Sequence, residues 1–109
     1  DILIYRLVYN LVENAIKYNH TGGQVTVTAD RKEKQVHLSV ADTGNGIPEE
    51  LRERVFEPFF RVDKSRSRAL GGVGLGLALV HEIVRVHDGS ITVRSNPSGG
   101  TIFDVMFTQ

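Results

Sequence analysis

Near the start of the chain, apolar residues recur at three- and four-residue spacing. Ile4, Leu7, Val8, Leu11 and Ala15 fall on one side of a helical wheel. The spacing predicts a helix over residues 2–18, ended by the turn residues Asn19, His20, Thr21, Gly22 and Gly23. The pattern then changes to alternation. Gln24-Val-Thr-Val-Thr-Ala29 and Gln35-Val-His-Leu-Ser-Val-Ala41 alternate β-branched with polar positions, which predicts two antiparallel strands. Arg31-Lys-Glu-Lys34 reads as the polar turn between them. Pro48-Glu-Glu-Leu51 predicts a short helix, with proline in its first turn and acids suited to its dipole. Residues 57–73 show no period. Helical spacing returns over Leu75 to His87, with Leu75, Leu79, Ile83 and Val86 on one side and Asp88-Gly89 as the stop. Residues 90–95 and 101–107 predict two further strands around the turn Asn96-Pro-Ser-Gly-Gly100. The expected fold is a two-layer α/β (α+β) sandwich. A mixed, mostly antiparallel sheet carries about three helices on one face.

Composition narrows the function classes. The chain has 109 residues, the size of one domain, so 1–109 is expected to share one core. Thirteen basic residues balance thirteen acidic ones, which argues against nucleic acid or an acidic membrane surface as partner. No apolar run approaches the ~18 residues of a membrane span, and no secretory signal pattern opens the chain. Cysteine is absent, so disulfides and thiolate metal sites are excluded. Charge is uneven only locally: Arg61-Val-Asp-Lys64-Ser-Arg66-Ser-Arg68 is a basic run just before a glycine cluster.

Against this background four motifs carry chemistry. The first is Asn10-Leu-Val-Glu-Asn14-Ala-Ile-Lys17. At about 100° per residue, Asn10, Asn14 and Lys17 share one side of the opening helix. Asn14 lies at the edge of the apolar face, where an unpartnered amide is costly. These positions suit either a flanking polar stripe or two amide oxygens for Mg²⁺ on a phosphate, a hard cation that takes few protein ligands. Lys17, one turn on, would meet the same phosphates. The second motif is Asp42-Thr-Gly44-Asn-Gly46-Ile-Pro48, directly after a strand. It is good turn chemistry. It would also let Asp42 accept from the exocyclic amine of adenine while Gly44 and Gly46 bring backbone close to the base. An aspartic-protease reading of Asp-Thr-Gly needs a second copy or a dimer and surroundings that are not present here. The third is Phe56-Glu-Pro-Phe-Phe60-Arg61, whose rings suit core or lid packing. The fourth is Gly71-Gly-Val-Gly74-Leu-Gly76-Leu77. It lacks both the dinucleotide spacing and a Gly-Lys-Ser/Thr ending, yet it opens a helix whose N-terminus suits phosphate. The four histidines have no metal spacing, and His81 beside Glu82 reads as a surface residue.

Taken together, these motifs resemble those of the catalytic, ATP-binding domain of bacterial sensor histidine kinases, in the gyrase, chaperone, histidine kinase and mismatch-repair ATPase superfamily (the Bergerat or HATPase fold). Residues 10–18 resemble its asparagine box, 42–48 its first glycine box and 56–63 its phenylalanine box. Residues 72–77 resemble its second glycine box, and Gly99-Gly-Thr101-Ile-Phe103 its closing strand. The resemblance implies ATP and Mg²⁺ as cofactors, held between helices and a flexible glycine-rich lid. It implies Asn10 and Asn14 on the metal, Lys17 at the phosphates and Arg61 in the lid, with Asn10, Asn14, Lys17 and Arg61 carrying catalysis. It implies that Tyr18, Asp42, Gly44, Gly46, Ile47 and Thr101 surround the adenine end. Gly72, Gly74, Leu75, Gly76 and Leu77 belong to the lid and the helix start it leads into. It further implies that the γ-phosphoryl passes to a histidine on a separate helical dimerisation domain, then to an aspartate on a response regulator receiver domain. The domain is then cytoplasmic, on a parent anchored in the bacterial cell membrane.

Two departures qualify the likeness. Val73 stands where many members carry serine or threonine, which removes one hydroxyl contact to phosphate. The chain opens at the asparagine-box helix, so the phospho-accepting helices, sensor and membrane segment are expected to lie outside it. Alone it is expected to be a monomer that binds nucleotide without completing autophosphorylation; the parent is expected to be a homodimer. Two rival functions remain. A water-activating ATPase or serine kinase of the superfamily carries glutamate at the place of Asn10, where an amide cannot take a proton. A docking module without catalysis would have no need of Asn10, Asn14, Lys17, Asp42 and the glycines.

Overall fold

In the computed structural model, residues 2–60 and 75–108 are described. Helix α1 (Ile2–Lys17) is followed by strands β1 (Val25–Lys32) and β2 (Gln35–Asp42), helix α2 (Gly76–Val86), and strands β3 (Ser90–Ser95) and β4 (Thr101–Thr108). The strands form one sheet in the order β1-β2-β4-β3, and every neighbouring pair is antiparallel. Two hairpins therefore sit side by side, and β4 enters between β2 and β3. The register puts Ser39 opposite Asp104 and Val40 opposite Phe103. Side chains alternate across a strand, so Leu38 and Val40 share a face with Phe103, Val105 and Phe107, and that face is buried under both helices.

The core explains the helical spacing. Leu7, Leu11 and Ala15 of α1 meet Val80, Ile83 and Val84 of α2 over the sheet. For α1 the buried residues are those the spacing predicts. For α2 the stripe is rotated: Val80, Ile83 and Val84 are buried, whereas Leu75, Leu79 and Val86 are exposed. Several apolar directions compete on this helix, and contact with both α1 and the sheet selects the one between them. At its end Asp88 takes the left-handed conformation (φ 54), and the Gly89 N–H donates to the Val84 carbonyl at 2.9 Å. Glycine is needed at 89 for space, since a Cβ there would lie 2.5 Å from the Met106 carbonyl oxygen.

Three expectations are corrected. The described residues contain two α-helices, not three; the segment after Pro48 forms two 3₁₀ turns, Glu49–Leu51 and Arg54–Phe56, and Glu57, extended before Pro58, ends it. Arg31 and Lys32 belong to β1, so only Glu33 and Lys34 turn the hairpin, with Glu33 at φ 58. The three phenylalanines also divide. Phe56 packs edge-on to Phe103 at 6.2 Å between ring centres, and against the His81 ring at 5.4 Å. Phe60 lies under the Arg54 guanidinium at 4.7 Å, and Phe59 is exposed. Among the described residues, no helix is long and apolar enough to cross a membrane.

Candidate functional site

Asp42 is the last residue of β2 and is 6% exposed. Burial of a carboxylate is costly without donors, and two backbone donors are present. The N–H of Gly44 donates to Asp42 Oδ1 at 2.9 Å and the N–H of Thr101 to the same oxygen at 3.2 Å. Asp42 Oδ2 has no hydrogen-bond partner among the described residues. The arrangement leaves one carboxylate oxygen fixed and the other able to accept from a ligand. Thr101, the first residue of β4, is itself 4% exposed, so two of the sequence-derived residues from distant segments meet at one carboxylate.

The loops around Asp42 are tied from two sides. Asn96 Nδ2 donates to the Asp42 carbonyl at 2.8 Å, and the Asn96 N–H donates to the Gly100 carbonyl at 3.1 Å. On the other side Asn19 Oδ1 accepts from the Thr43 hydroxyl at 3.3 Å. Close approach needs glycine at both places. A Cβ on Gly100 would lie 2.3 Å from the Asp42 carbonyl oxygen, and one on Gly44 would lie 2.4 Å from the Tyr18 carbonyl oxygen. Gly46 has φ 76 and turns the chain beside the Gly100 carbonyl. Arg52 secures the following residues, with Nε donating to the Ile47 carbonyl at 3.3 Å and Nη2 to Ser95 Oγ at 2.6 Å. Ile47 and Leu77 pack partly buried against the core. Gly100, Asn19, Asn96 and Arg52 were not among the residues the sequence singled out for the site; a turn residue's side chain carries no mark of what it reaches across the fold.

The other half of the site lies along α1. Asn10 Nδ2 donates to the Arg6 carbonyl at 2.7 Å, which turns its oxygen toward α2. A Cβ on Gly76 would lie 3.3 Å from Asn10 Oδ1. The amide oxygen therefore stands beside the first turn of α2, whose N-cap, Leu75, makes no side-chain capping bond. Uncapped leading N–H groups and a partial positive charge suit an anion there. Asn14 and Lys17 follow at successive turns of α1. Lys17 Nζ lies 3.8 Å from Glu13 Oε1. The Glu13 carboxylate also hydrogen-bonds Tyr9 and raises its phenol above the usual tyrosine range. Glu13 is thus turned to Tyr9 and Lys17. Arg61, Gly72, Val73 and Gly74, with the expected lid, lie outside the described residues.

An amide oxygen such as Asn10 Oδ1 is of the type that a hard cation takes. No three His, Cys, Asp or Glu side chains converge on a metal position among the described residues. A divalent ion would draw on amide oxygens, water and ligand phosphate, the manner in which Mg²⁺ is commonly held.

Comparison with known proteins shows the family. The family model described as histidine kinase-, DNA gyrase B- and HSP90-like ATPase matches residues 1–109. Sensor histidine kinase RppB of Synechocystis is 45% identical over 94% of this chain, and the match spans 22% of RppB. The sensor-like histidine kinase SenX3 of Mycolicibacterium smegmatis is 46% identical over 98% of this chain and 28% of its own length. The chain thus spans about a quarter of the curated relatives it matches. Among solved structures, the mycobacterial sensor histidine kinase MprB superposes with a TM-score of 0.83 at 35% identity, over 94% of this chain and 70% of that one. Full-length ShkA in complex with AMPPNP gives 0.80 at 31% identity, over 96% and 21%.

Proposed function

Because the chain belongs to the histidine kinase-, DNA gyrase B- and HSP90-like ATPase family, we propose that it is the ATP-binding catalytic domain of a two-component sensor histidine kinase. It binds Mg-ATP and presents the γ-phosphate to a histidine on a separate helical dimerisation domain, for onward transfer to a response regulator aspartate. The observation that carries the nucleotide reading is the buried Asp42, with one oxygen held by two backbone N–H groups. Its other oxygen accepts the exocyclic amine of adenine. A guanine would present a carbonyl oxygen at that position and be repelled.

Asn10 supports histidine over water as acceptor. At its position an amide cannot remove a proton from water, and Glu13, the nearest carboxylate on α1, is held by Tyr9 and Lys17. An imidazole nitrogen is already nucleophilic and needs no such base. The chain's own residues then position and stabilise charge. Asp42, Thr101 and the glycines at 44 and 46 seat the base. Lys17 moves from Glu13 to the phosphates, the N-terminus of α2 takes phosphate oxygens, and Arg61 adds positive charge for the terminal phosphate. Asn10 and Asn14 would hold Mg²⁺ through their amide oxygens, and the ion would supply positive charge against the phosphates. Residues 1–109 form one ATP-binding domain, and the site works on the cytoplasmic side of a membrane-anchored, dimeric parent.

The test is transfer in trans. The 109-residue chain, Mg²⁺ and γ-labelled ATP are mixed with the histidine-bearing helical domain of the parent. Label on that domain in an acid-labile, base-stable bond is the expected result. Free phosphate with no labelled protein marks a hydrolase, and an acid-stable label on serine marks a serine kinase; either overturns the reading.

A further inference from the structure

Asn19, Gln24 and Thr43 form a closed polar ring between two loops. Asn19 Oδ1 accepts from the His20 N–H at 2.9 Å and from the Thr43 hydroxyl at 3.3 Å. Asn19 Nδ2 donates to the Gln24 carbonyl at 2.9 Å. The Gln24 N–H donates to Thr43 Oγ1 at 2.8 Å, and the Thr43 N–H donates back to the Gln24 carbonyl at 3.2 Å. Each residue touches the other two. The Thr43 hydroxyl has one possible orientation, because it accepts from Gln24 and so donates to Asn19. Glycines make room on both sides. A Cβ on Gly23 would lie 2.2 Å from Asn19 Oδ1, and one on Gly44 would meet the Tyr18 carbonyl.

The ring's place in the chain gives it a meaning beyond loop packing. Asn19 follows Lys17 and Tyr18 at the end of α1, and Thr43 follows Asp42 at the end of β2. The ring thus joins the end of the element that carries Asn14 and Lys17 to the residue after Asp42. We propose that Asn19 is a positioning residue, the centre of a clip that sets the spacing between the phosphate side and the base side of the nucleotide site. The proposal rests on the nucleotide reading of that site. A ligand that spans both sides gains from a spacing fixed in advance, since no ordering is left for binding to offset. A ligand that occupies one side gains nothing from it. Asp42 keeps its own donors, Gly44 and Thr101, and the separate tether from Asn96, so its side of the site survives loss of the clip.

The test compares adenosine, which fills the base side alone, with a non-hydrolysable ATP analogue, using the 109-residue chain. Asn19→Ala is expected to weaken the ATP analogue about tenfold, the worth of one or two hydrogen bonds, and to leave adenosine within about twofold. Thr43→Val is expected to act in the same direction, and the double variant to fall short of the sum of the two, because both remove the Asn19–Thr43 bond. Thr43→Ser keeps the hydroxyl and restores affinity. Should Asn19→Ala fail to fold, Thr43→Val, which leaves the Asn19 bonds to His20 and Gln24 in place, serves the same comparison. Equal loss for adenosine and the ATP analogue, or loss for neither, overturns the positioning role alone. A chain with no substitution that binds no adenine nucleotide overturns the nucleotide reading and the clip with it.

Discussion

Gly100 has φ 95, and a Cβ there would lie 2.7 Å from both Asp42 Oδ1 and the Gly44 nitrogen. No side chain can be added without moving the carboxylate or the turn that holds it. Gly100→Ala is expected to lower stability by about 2 kcal/mol or more, since an unfavourable φ adds to the contact. It should also weaken adenine nucleotides more than Gly99→Ala, which meets a similar φ of 94 but whose added Cβ would touch nothing within 4 Å. Thermal unfolding and nucleotide titration of the two variants check this, and equal behaviour would refute it. The difference between these adjacent glycines cannot be read from the sequence, where both look like turn residues. Asp42 was readable through its place in an ordered set of motifs, since an acid on a glycine-rich turn is ordinary turn chemistry by itself. Asn19 and Asn96 were not, because their partners Thr43 and Asp42 lie 24 and 54 residues away.

Between elements, the sheet's open face carries its own charge cluster. Asp104 on β4 accepts from Ser39 Oγ of β2 at 2.5 Å and from Arg94 Nε of β3 at 2.6 Å, with His37 Nε2 at 3.6 Å. Partial burial pushes the Asp104 carboxyl up. The hydrogen bonds from Arg94 and Ser39, with the charges of Arg94 and His37, outweigh that and hold it below the usual aspartate range. Its value in the folded chain therefore lies below the unfolded one. Ionised Asp104 adds stability above the ordinary aspartate value of about 3.9, and that contribution is lost as the pH falls through the lower folded value. Melting temperatures followed from neutral pH into the acid range are expected to fall less steeply for Asp104→Asn than for the unsubstituted chain. Parallel curves would contradict the assignment. Strand alternation made β2, β3 and β4 readable, because one face of each is buried. The α2 stripe was misread because this helix presents apolar residues in more than one direction. Wheel geometry alone does not say which direction faces the α1–sheet junction.

Across the whole molecule, two asparagine-bearing loops and two helices converge on the end of β2 and the start of β4. The antiparallel order places Asp42 and Thr101 side by side at one end of the central strand pair, and α1 and α2 bring Asn10 to the first turn of α2. Each half of the candidate site therefore joins residues from both halves of the chain, Asp42 with Thr101 and Asn10 with Gly76, which is why each motif is weak alone and informative in order. The general architecture followed from alternation and helical period. The third helix did not form because Glu57, held extended before Pro58, ends the segment after two short 3₁₀ turns.

The central claim is a nucleotide site read by Asp42 and assisted by Mg²⁺. Calorimetric titration with a non-hydrolysable ATP analogue tests it most directly, with and without Mg²⁺, with a GTP analogue and Asp42→Asn as controls. The account predicts binding that prefers adenine and tightens with Mg²⁺. It also predicts that Asp42→Asn weakens the ATP analogue by about 1–3 kcal/mol, the scale of a lost charge-assisted hydrogen bond, because the amide then brings either a second donor against the adenine amine or a lost acceptor for Gly44 and Thr101. No binding, or equal binding of adenine and guanine nucleotides unaffected by Asp42→Asn, would contradict it.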